Sequence, residues 1–173
     1  ILIITGPYKG QRMTKERYDE LRSQEERTSV VVFGDGVEEE IYEAFRHPWA
    51  MPSTDIGPYE PGEGHPQIAG SFPRYFYKMV QERKELSLIE AIRKATLLPA
   101  ETLKLSTKGR MAIGADADFV IFDPEMIQDG SDFLGLGEPD APPIGIQSVW
   151  VNGVLGVLHN EDQGSRNGRI ERS

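Results

Sequence analysis

The chain has 173 residues, 28 of them acidic and 19 basic, so its formal net charge is -9. Such a charge disfavours nucleic acid and anionic membranes as partners, because like charges repel. The sequence contains no cysteine, which excludes disulfides and thiolate zinc sites and suits a reducing compartment, so we expect a cytoplasmic protein. No apolar run is long enough for a membrane span, and no signal peptide is visible.

The chain opens on a short apolar run, Ile1–Ile4. We interpret it as a strand that enters from a preceding part of a domain, because so short a strand finds no partner nearby. An ordinary first strand at a trimmed end is the equal alternative. Charged residues with two apolar positions at Thr14–Ser23 predict a short exposed helix.

Residues 28–55 predict a strand–helix–strand unit, which is the signature of a parallel α/β sheet. Thr28–Phe33 is a β-branched and aromatic run typical of a buried strand. Val37–Arg46 has apolar residues on one face and glutamates in its first turn, as an amphipathic helix does. Trp49–Asp55 predicts a second buried strand with a polar exit.

A long connection and three helices are expected next. Residues 56–70 are rich in glycine and proline, and a connection of that length in a compact domain is often functional. Phe72–Glu85 predicts a helix, and Ser87 with Glu90 forms a capping box ahead of another. Pro99 predicts the start of a last helix that runs through Leu105.

The character of the sequence changes near residue 106. Residues 116–123 and 146–158 predict short strands, with Asn152-Gly153 as the turn of a hairpin. A loop rich in proline, glycine and aspartate runs from Asp129 to Pro143. We therefore predict a domain boundary here, which divides the chain into residues 1–105 and 106–173.

Asp55 is the leading candidate for chemistry. It ends a predicted parallel strand and precedes the long loop, at the sheet edge where active sites of barrels and open α/β sheets form. A carboxylate there can bind a metal or act as a general base. The alternative is an aspartate that caps a turn.

Two further residues are candidates for substrate binding. His65 lies in the long loop, where loop packing is the alternative. Arg74 falls at the predicted start of a helix, an unfavourable place for a cation, so it either pairs with an acid or faces an anionic substrate. We interpret His47 as structural and His159 as a surface residue. No H-x-H pair exists, so a complete zinc site from this chain alone is not expected.

Three stretches resemble the amidohydrolase superfamily, specifically the N-acyl-D-amino-acid deacylase (D-aminoacylase) group. HPWAMPSTD, residues 47–55, looks like its last barrel strand. GHPQIAGSFPR, within residues 64–105, looks like its H-P-x-x-x-G-x-F-P-R loop and the helices that follow. KGRMAIGADADFVIFDP, residues 108–124, with VWVNGVL, residues 149–155, is similar to its small β-sandwich.

The resemblance implies an α/β fold: the C-terminal part of a (β/α)₈ TIM-like barrel with a small β-sandwich domain. It implies a zinc-dependent hydrolase of N-acyl-D-amino acids. In such an enzyme Asp55 would contact the metal, take the proton from the metal-bound water and deliver it to the leaving amine. By the same resemblance His65 and Arg74 belong to the loop over the active site. The metal-binding H-x-H of the family is absent, so we expect the upstream half of the barrel, as a preceding segment or a separate chain, to supply most zinc ligands, and this chain alone to be inactive.

Two alternatives stay open. The first is another amidohydrolase, such as a dihydropyrimidinase-like cyclic amidase. The second is a non-catalytic binding or assembly module, in which the open faces of an incomplete barrel are covered by a partner or a second copy. A homo-oligomer is compatible with each reading.

Overall fold

The computed structural model describes residues 1–24, 27–32, 38–54 and 57–170. The helices are α1 Lys15–Arg22, α2 Glu38–Arg46, α3 Gln67–Phe76, α4 Leu88–Ala95 and α5 Leu97–Thr102, and α3 continues into a π-helical segment, Tyr77–Glu82. The strands are β1 Leu2–Ile3, β2 Val30–Val31, β3 Phe119–Phe122, β4 Ile146–Val151, β5 Val154–Leu158 and β6 Glu161–Asp162.

The first strand pairs within the chain, so the expectation that it has no nearby partner is wrong. β1 pairs antiparallel with β2, with Leu2 opposite Val31. Ile3 also donates its N–H to Gln11 O at 3.0 Å. Gly6 and Gly10, with φ of +75° and +82°, let the chain reverse directly after β1.

The parallel unit expected over residues 28–55 is likewise corrected. The pairing of β2 is antiparallel, and residues 49–54 form no strand. Side chains of α4 instead bind the backbone carbonyls at the beginning of this segment and just before it. Lys94 Nζ donates to His47 O and to Ala50 O, and Arg93 Nη2 donates to Pro48 O at 3.4 Å. Carbonyls engaged in this way are not available to a strand ladder.

The expected helices are present, with shifted bounds. Thr14 caps α1 by accepting from Arg17 N at 3.2 Å. Ser87 caps α4 by accepting from Glu90 N at 3.2 Å, which is the serine half of the predicted capping box, while the Glu90 carboxylate pairs with Arg93. α3 begins at Gln67 rather than at residue 72, because Pro66 already has helical φ and ψ. The long connection therefore ends at residue 66 rather than at residue 70.

The last strands form one antiparallel sheet in the order β3-β4-β5-β6. The predicted hairpin between β4 and β5 is confirmed: Asn152 and Gly153 have φ of +49° and +76°, the combination that a type I′ turn requires. The short strand β6 forms one edge of this sheet.

One hydrophobic core joins the helices to this sheet. Its buried members are Tyr42, Tyr75, Phe76, Met79, Ala91 and Ile127. Phe122 and Ile146, from β3 and β4, pack against the same cluster. Residues on both sides of position 106 therefore contribute to the core next to which the candidate site lies.

A charge cluster ties the tail to the turn ahead of β3. Asp116 accepts from Thr107 Oγ1 at 2.7 Å and from Arg169 Nη2 at 2.7 Å, and it lies 3.2 Å from Lys108 Nζ. The hydrogen bond from Thr107, followed by that from Lys108, lowers the pKa of Asp116 from 3.8 to about 2.

This carboxylate predicts a pH dependence of stability. A folded-state pKa below the ordinary value stabilises the fold above that ordinary value, and the stabilisation disappears as the pH falls through the folded pKa. We expect the free energy of unfolding to drop between pH 3.8 and about 2, and to drop less in an Asp116→Asn variant. Urea unfolding at several pH values measures the free energy of unfolding. An equal decrease with falling pH in the wild type and in Asp116→Asn would contradict the prediction.

Across the described ranges, no helix has the length and apolar character needed to cross a membrane.

Candidate active-site cleft

A cleft of about 390 Å³ lies between α2, α3 and the loops on either side. α2 contributes Glu38 and Tyr42, while α3 and the residues before it contribute His65 and Arg74. The opposite wall is formed by Asp129 and Phe133, which belong to the loop after β3, and Pro52 and Ser53 are also among the lining residues. The cleft thus combines side chains that are far apart in the sequence.

His65 is one of the two predicted substrate-binding residues, and its ring lines this cleft. Gln67 N donates to His65 Nδ1 at 3.1 Å, so Nδ1 is the unprotonated nitrogen and Nε2 carries the proton of the neutral ring. Burial, and then the positive charge of Arg74, lower the pKa of His65. The ring is therefore a neutral hydrogen-bond donor at neutral pH.

Arg74 lies beside His65, but its position in the helix differs from the prediction. It stands in the last turn of α3, and the chain runs on directly into the π-helical segment, so Arg74 lies inside a continuous helical stretch rather than at a helix start. Its Nη1 lies 3.2 Å from Asp129 Oδ2, and 52% of the Arg74 side chain is exposed against 14% of the Asp129 side chain. The pairing with an acid is present, and about half of the Arg74 side chain remains exposed beside the cleft that it lines.

A tyrosine and a glutamate of α2 were missed by the sequence reasoning. Tyr42 Oη donates to Glu38 Oε1 at 2.5 Å. Burial, and then this glutamate, raise the pKa of Tyr42 to about 12, so the phenol stays protonated. The spacing of four residues on one helix face was the available signal.

Tyr75 presents a second phenol on the cleft wall. Only 5% of the residue is exposed, and its hydroxyl has no hydrogen-bond partner among the described residues. A buried hydroxyl without a partner is costly. The sequence offered no sign of it beyond an aromatic residue at helical spacing.

The other histidines lie away from this cleft. His47 is exposed and its ring packs against Trp49, with centroids 5.3 Å apart. His159 occupies the turn between β5 and β6 with φ of +48°. Asp55, the predicted catalytic and metal-binding residue, lies outside the described residues, two positions after Ser53 of the cleft lining.

Over residues 1–24, 27–32, 38–54 and 57–170, no three histidine, aspartate or glutamate side chains come together in a group that can hold a metal ion. Zinc sites in enzymes use three protein ligands and one open position. These ranges by themselves therefore do not fit a catalytic zinc centre, although His65 offers one imidazole.

Comparison with known proteins identifies relatives along most of the chain. A profile described as "Amidohydrolase family" matches residues 13–156. N-acyl-D-glutamate deacylase of Alcaligenes xylosoxydans xylosoxydans is 36% identical over 138 residues, which are 78% of this chain and 27% of the relative. D-aminoacylase of the same organism is 32% identical over 106 residues, 61% of this chain and 21% of the relative.

Solved structures agree. The crystal structure of a D-aminoacylase matches with a TM-score of 0.73 and 28% identity, covering 79% of this chain and 28% of that one. N-acyl-D-glutamate deacylase from Bordetella bronchiseptica, complexed with zinc and a phosphonate inhibitor, matches with a TM-score of 0.66 and 30% identity over the same shares. The chain spans 27% of the length of its curated N-acyl-D-glutamate deacylase relative. Sequence and structure together show that it belongs to the amidohydrolase family, in the group of the D-aminoacylases and N-acyl-D-amino-acid deacylases.

Proposed function

We propose that this protein takes part in the metal-dependent hydrolysis of the C–N amide bond of N-acyl-D-amino acids. The observation that carries the proposal is which residues line the cleft. His65 and Arg74 line it together, within a chain that is 36% identical to an N-acyl-D-glutamate deacylase. The product would be a carboxylate and a free D-amino acid.

The proposed architecture is the one that the resemblance implies. Residues 1–105 form the C-terminal strands and helices of a (β/α)₈ barrel, and residues 106–173 form the small β-sandwich domain. Supporting it, the chain corresponds to 28% of the length of the solved D-aminoacylase. The remainder of the barrel, either continuous with this chain or on another chain, then completes the active site.

Zinc is the proposed cofactor, since a related deacylase structure holds it. The described side chains do not gather three ligands, so we propose that the remainder of the barrel supplies most of them. Asp55 is proposed to contact the metal and to serve as the general base. It takes a proton from the attacking water and delivers it to the leaving amine.

His65 and Arg74 are proposed to bind the substrate. An N-acyl amino acid carries a carboxylate, and a guanidinium presents several N–H donors in a fork that matches it. One nitrogen of Arg74 lies against Asp129, and more than half of the side chain remains exposed. The neutral Nε2–H of His65 supplies a further donor in the same cleft.

The test starts from the protein isolated from its native source. Intact mass establishes whether the polypeptide is larger than the 19.4 kDa of this chain or is joined by a second polypeptide. That protein is then assayed with zinc on N-acyl-D-glutamate, N-acyl-D-aspartate and an uncharged N-acyl-D-amino acid, with the L-enantiomers and a cyclic amide as controls. We expect zinc-dependent release of the D-amino acid. Turnover of the cyclic amide alone, or of no substrate in a protein that contains the whole barrel, would overturn the proposal.

A further inference from the structure

The wall of the cleft opposite α3 is formed by a short run of the loop after β3, here called the 129–133 segment. Its first, third and fifth residues, Asp129, Ser131 and Phe133, each contact a different part of the chain between His65 and Arg74. Two of these contacts fall on the proposed substrate-binding residues themselves, Arg74 and His65, and the third falls on Pro66, next to His65.

Ser131 makes the central and most buried of these contacts. Only 5% of the residue is exposed, and its Oγ donates to Pro66 O at 2.9 Å. The approach is close because Gly70 has no side chain. A Cβ added there would lie 2.5 Å from Ser131 Oγ and 3.1 Å from Asp129 Cβ. The segment and the first half of α3 therefore pack as one unit.

Phe133 fixes the ring of His65 from the side. The two rings meet edge to face, with centroids 4.8 Å apart and planes at 81°, a favoured arrangement for aromatic pairs. On the same ring, Gln67 N donates to Nδ1 at 3.1 Å. Two contacts thus define the orientation of the imidazole and which of its nitrogens carries the proton.

Asp129 fixes Arg74 in a comparable way. The side chain of Asp129 is mostly covered, whereas about half of the Arg74 side chain that it holds is exposed. A flexible arginine side chain that is held at one nitrogen loses less conformational freedom when its other donors bind a ligand. The pairing therefore prepares the guanidinium for a second carboxylate.

We propose that the 129–133 segment is a positioning element that holds His65 and Arg74 in the geometry needed to bind the carboxylate of the substrate. This inference rests on the proposed function, and it assigns Asp129 and Phe133 as positioning residues that act through Arg74 and His65. The segment belongs to the part of the chain after residue 106, so that part shapes the site as well as packing beside it.

The test compares variants in the native protein that carries this chain. In Asp129→Asn and Phe133→Leu, KM for an N-acyl-D-amino acid should rise by about tenfold, the loss of roughly one hydrogen bond to a charged group, while kcat changes little. The conservative variants Asp129→Glu and Phe133→Tyr should recover most of the loss. Glu138→Gln and Leu136→Val, at exposed positions of the same loop, serve as matched controls and should leave KM unchanged.

A second readout does not depend on activity. The ¹⁵N chemical shifts of the His65 ring report which nitrogen is protonated, and His65→Gln assigns the signals. We expect unprotonated Nδ1 in the wild type and a mixture of tautomers in Phe133→Leu. If the wild type is inactive but this tautomer change occurs, the proposed function fails and the positioning role stands. Variants that alter neither KM nor the tautomer would overturn the positioning role.

Discussion

Replacing Asp55 by asparagine is expected to lower kcat for N-acyl-D-amino acids by about 10²–10⁴-fold, the usual contribution of a positioned general base. Asparagine has nearly the same shape but cannot take up the proton of the attacking water. KM should change far less, because the proposed contacts to the substrate carboxylate come from His65 and Arg74. Steady-state kinetics on the native protein, with zinc content measured for each variant, provide the test.

The control for this experiment is Asp19→Asn. Asp19 lies on α1, with 56% of its side chain exposed, and it pairs across one helical turn with Lys15. Its loss should leave kcat unaltered. An Asp55→Asn variant that keeps its zinc and more than a third of the wild-type kcat would show that another group moves the proton.

Replacing Lys94 by methionine is expected to destabilise the protein by about 2 kcal/mol, because two backbone carbonyls lose a charged donor. Lys94 is 1% exposed, and burial lowers its pKa. Its Nζ donates to His47 O and, at 3.1 Å, to Ala50 O. Methionine keeps the apolar stem and removes the ammonium, so the change reports the hydrogen bonds rather than a cavity.

Urea unfolding followed by tryptophan fluorescence measures this loss, and Trp49 lies between the two anchored carbonyls. Lys15→Met is the control, since Lys15 forms an exposed pair with Asp19 and such pairs contribute roughly 0–1 kcal/mol. Equal stability of Lys94→Met and wild type would mean that water replaces the ammonium at both carbonyls. Because residues 47–50 lie just ahead of Asp55, we also expect a lower kcat in the variant.

Local patterns in the sequence were sufficient for several features. The side-chain cap at Ser87 and the turn at Asn152-Gly153 depend on a few neighbouring residues, and the structure confirms them. The family was also readable, since the motifs around His65 and Arg74 and around residues 108–124 stand in the family order. The comparisons bear out that assignment. The roles of Asp55, His65 and Arg74 remain proposals.

Other features depend on partners that are distant in the sequence. Residues 49–54 look like a strand by composition, but the carbonyls of the preceding turn are held by Lys94 and Arg93. The sequence placed Arg74 at the start of a helix, whereas α3 begins earlier, at Gln67. That earlier start depends on the helical backbone of Pro66 and on the close packing at Gly70. Neither the hydrogen bonds from α4 nor the packing at Gly70 can be recognised in the local sequence.

Short-range hydrogen bonding and side-chain periodicity therefore account for where most helices and the hairpin form. The sequence motifs account for the assignment to the family. Which side chains line the cleft together was decided only by the tertiary structure. Asp129 meets Arg74 and Phe133 meets His65 across 55 and more positions of chain, and such contacts form because a shared core brings β3 and α3 together. Sequence patterns report the conformation of neighbouring residues, whereas long-range packing decides which side chains meet.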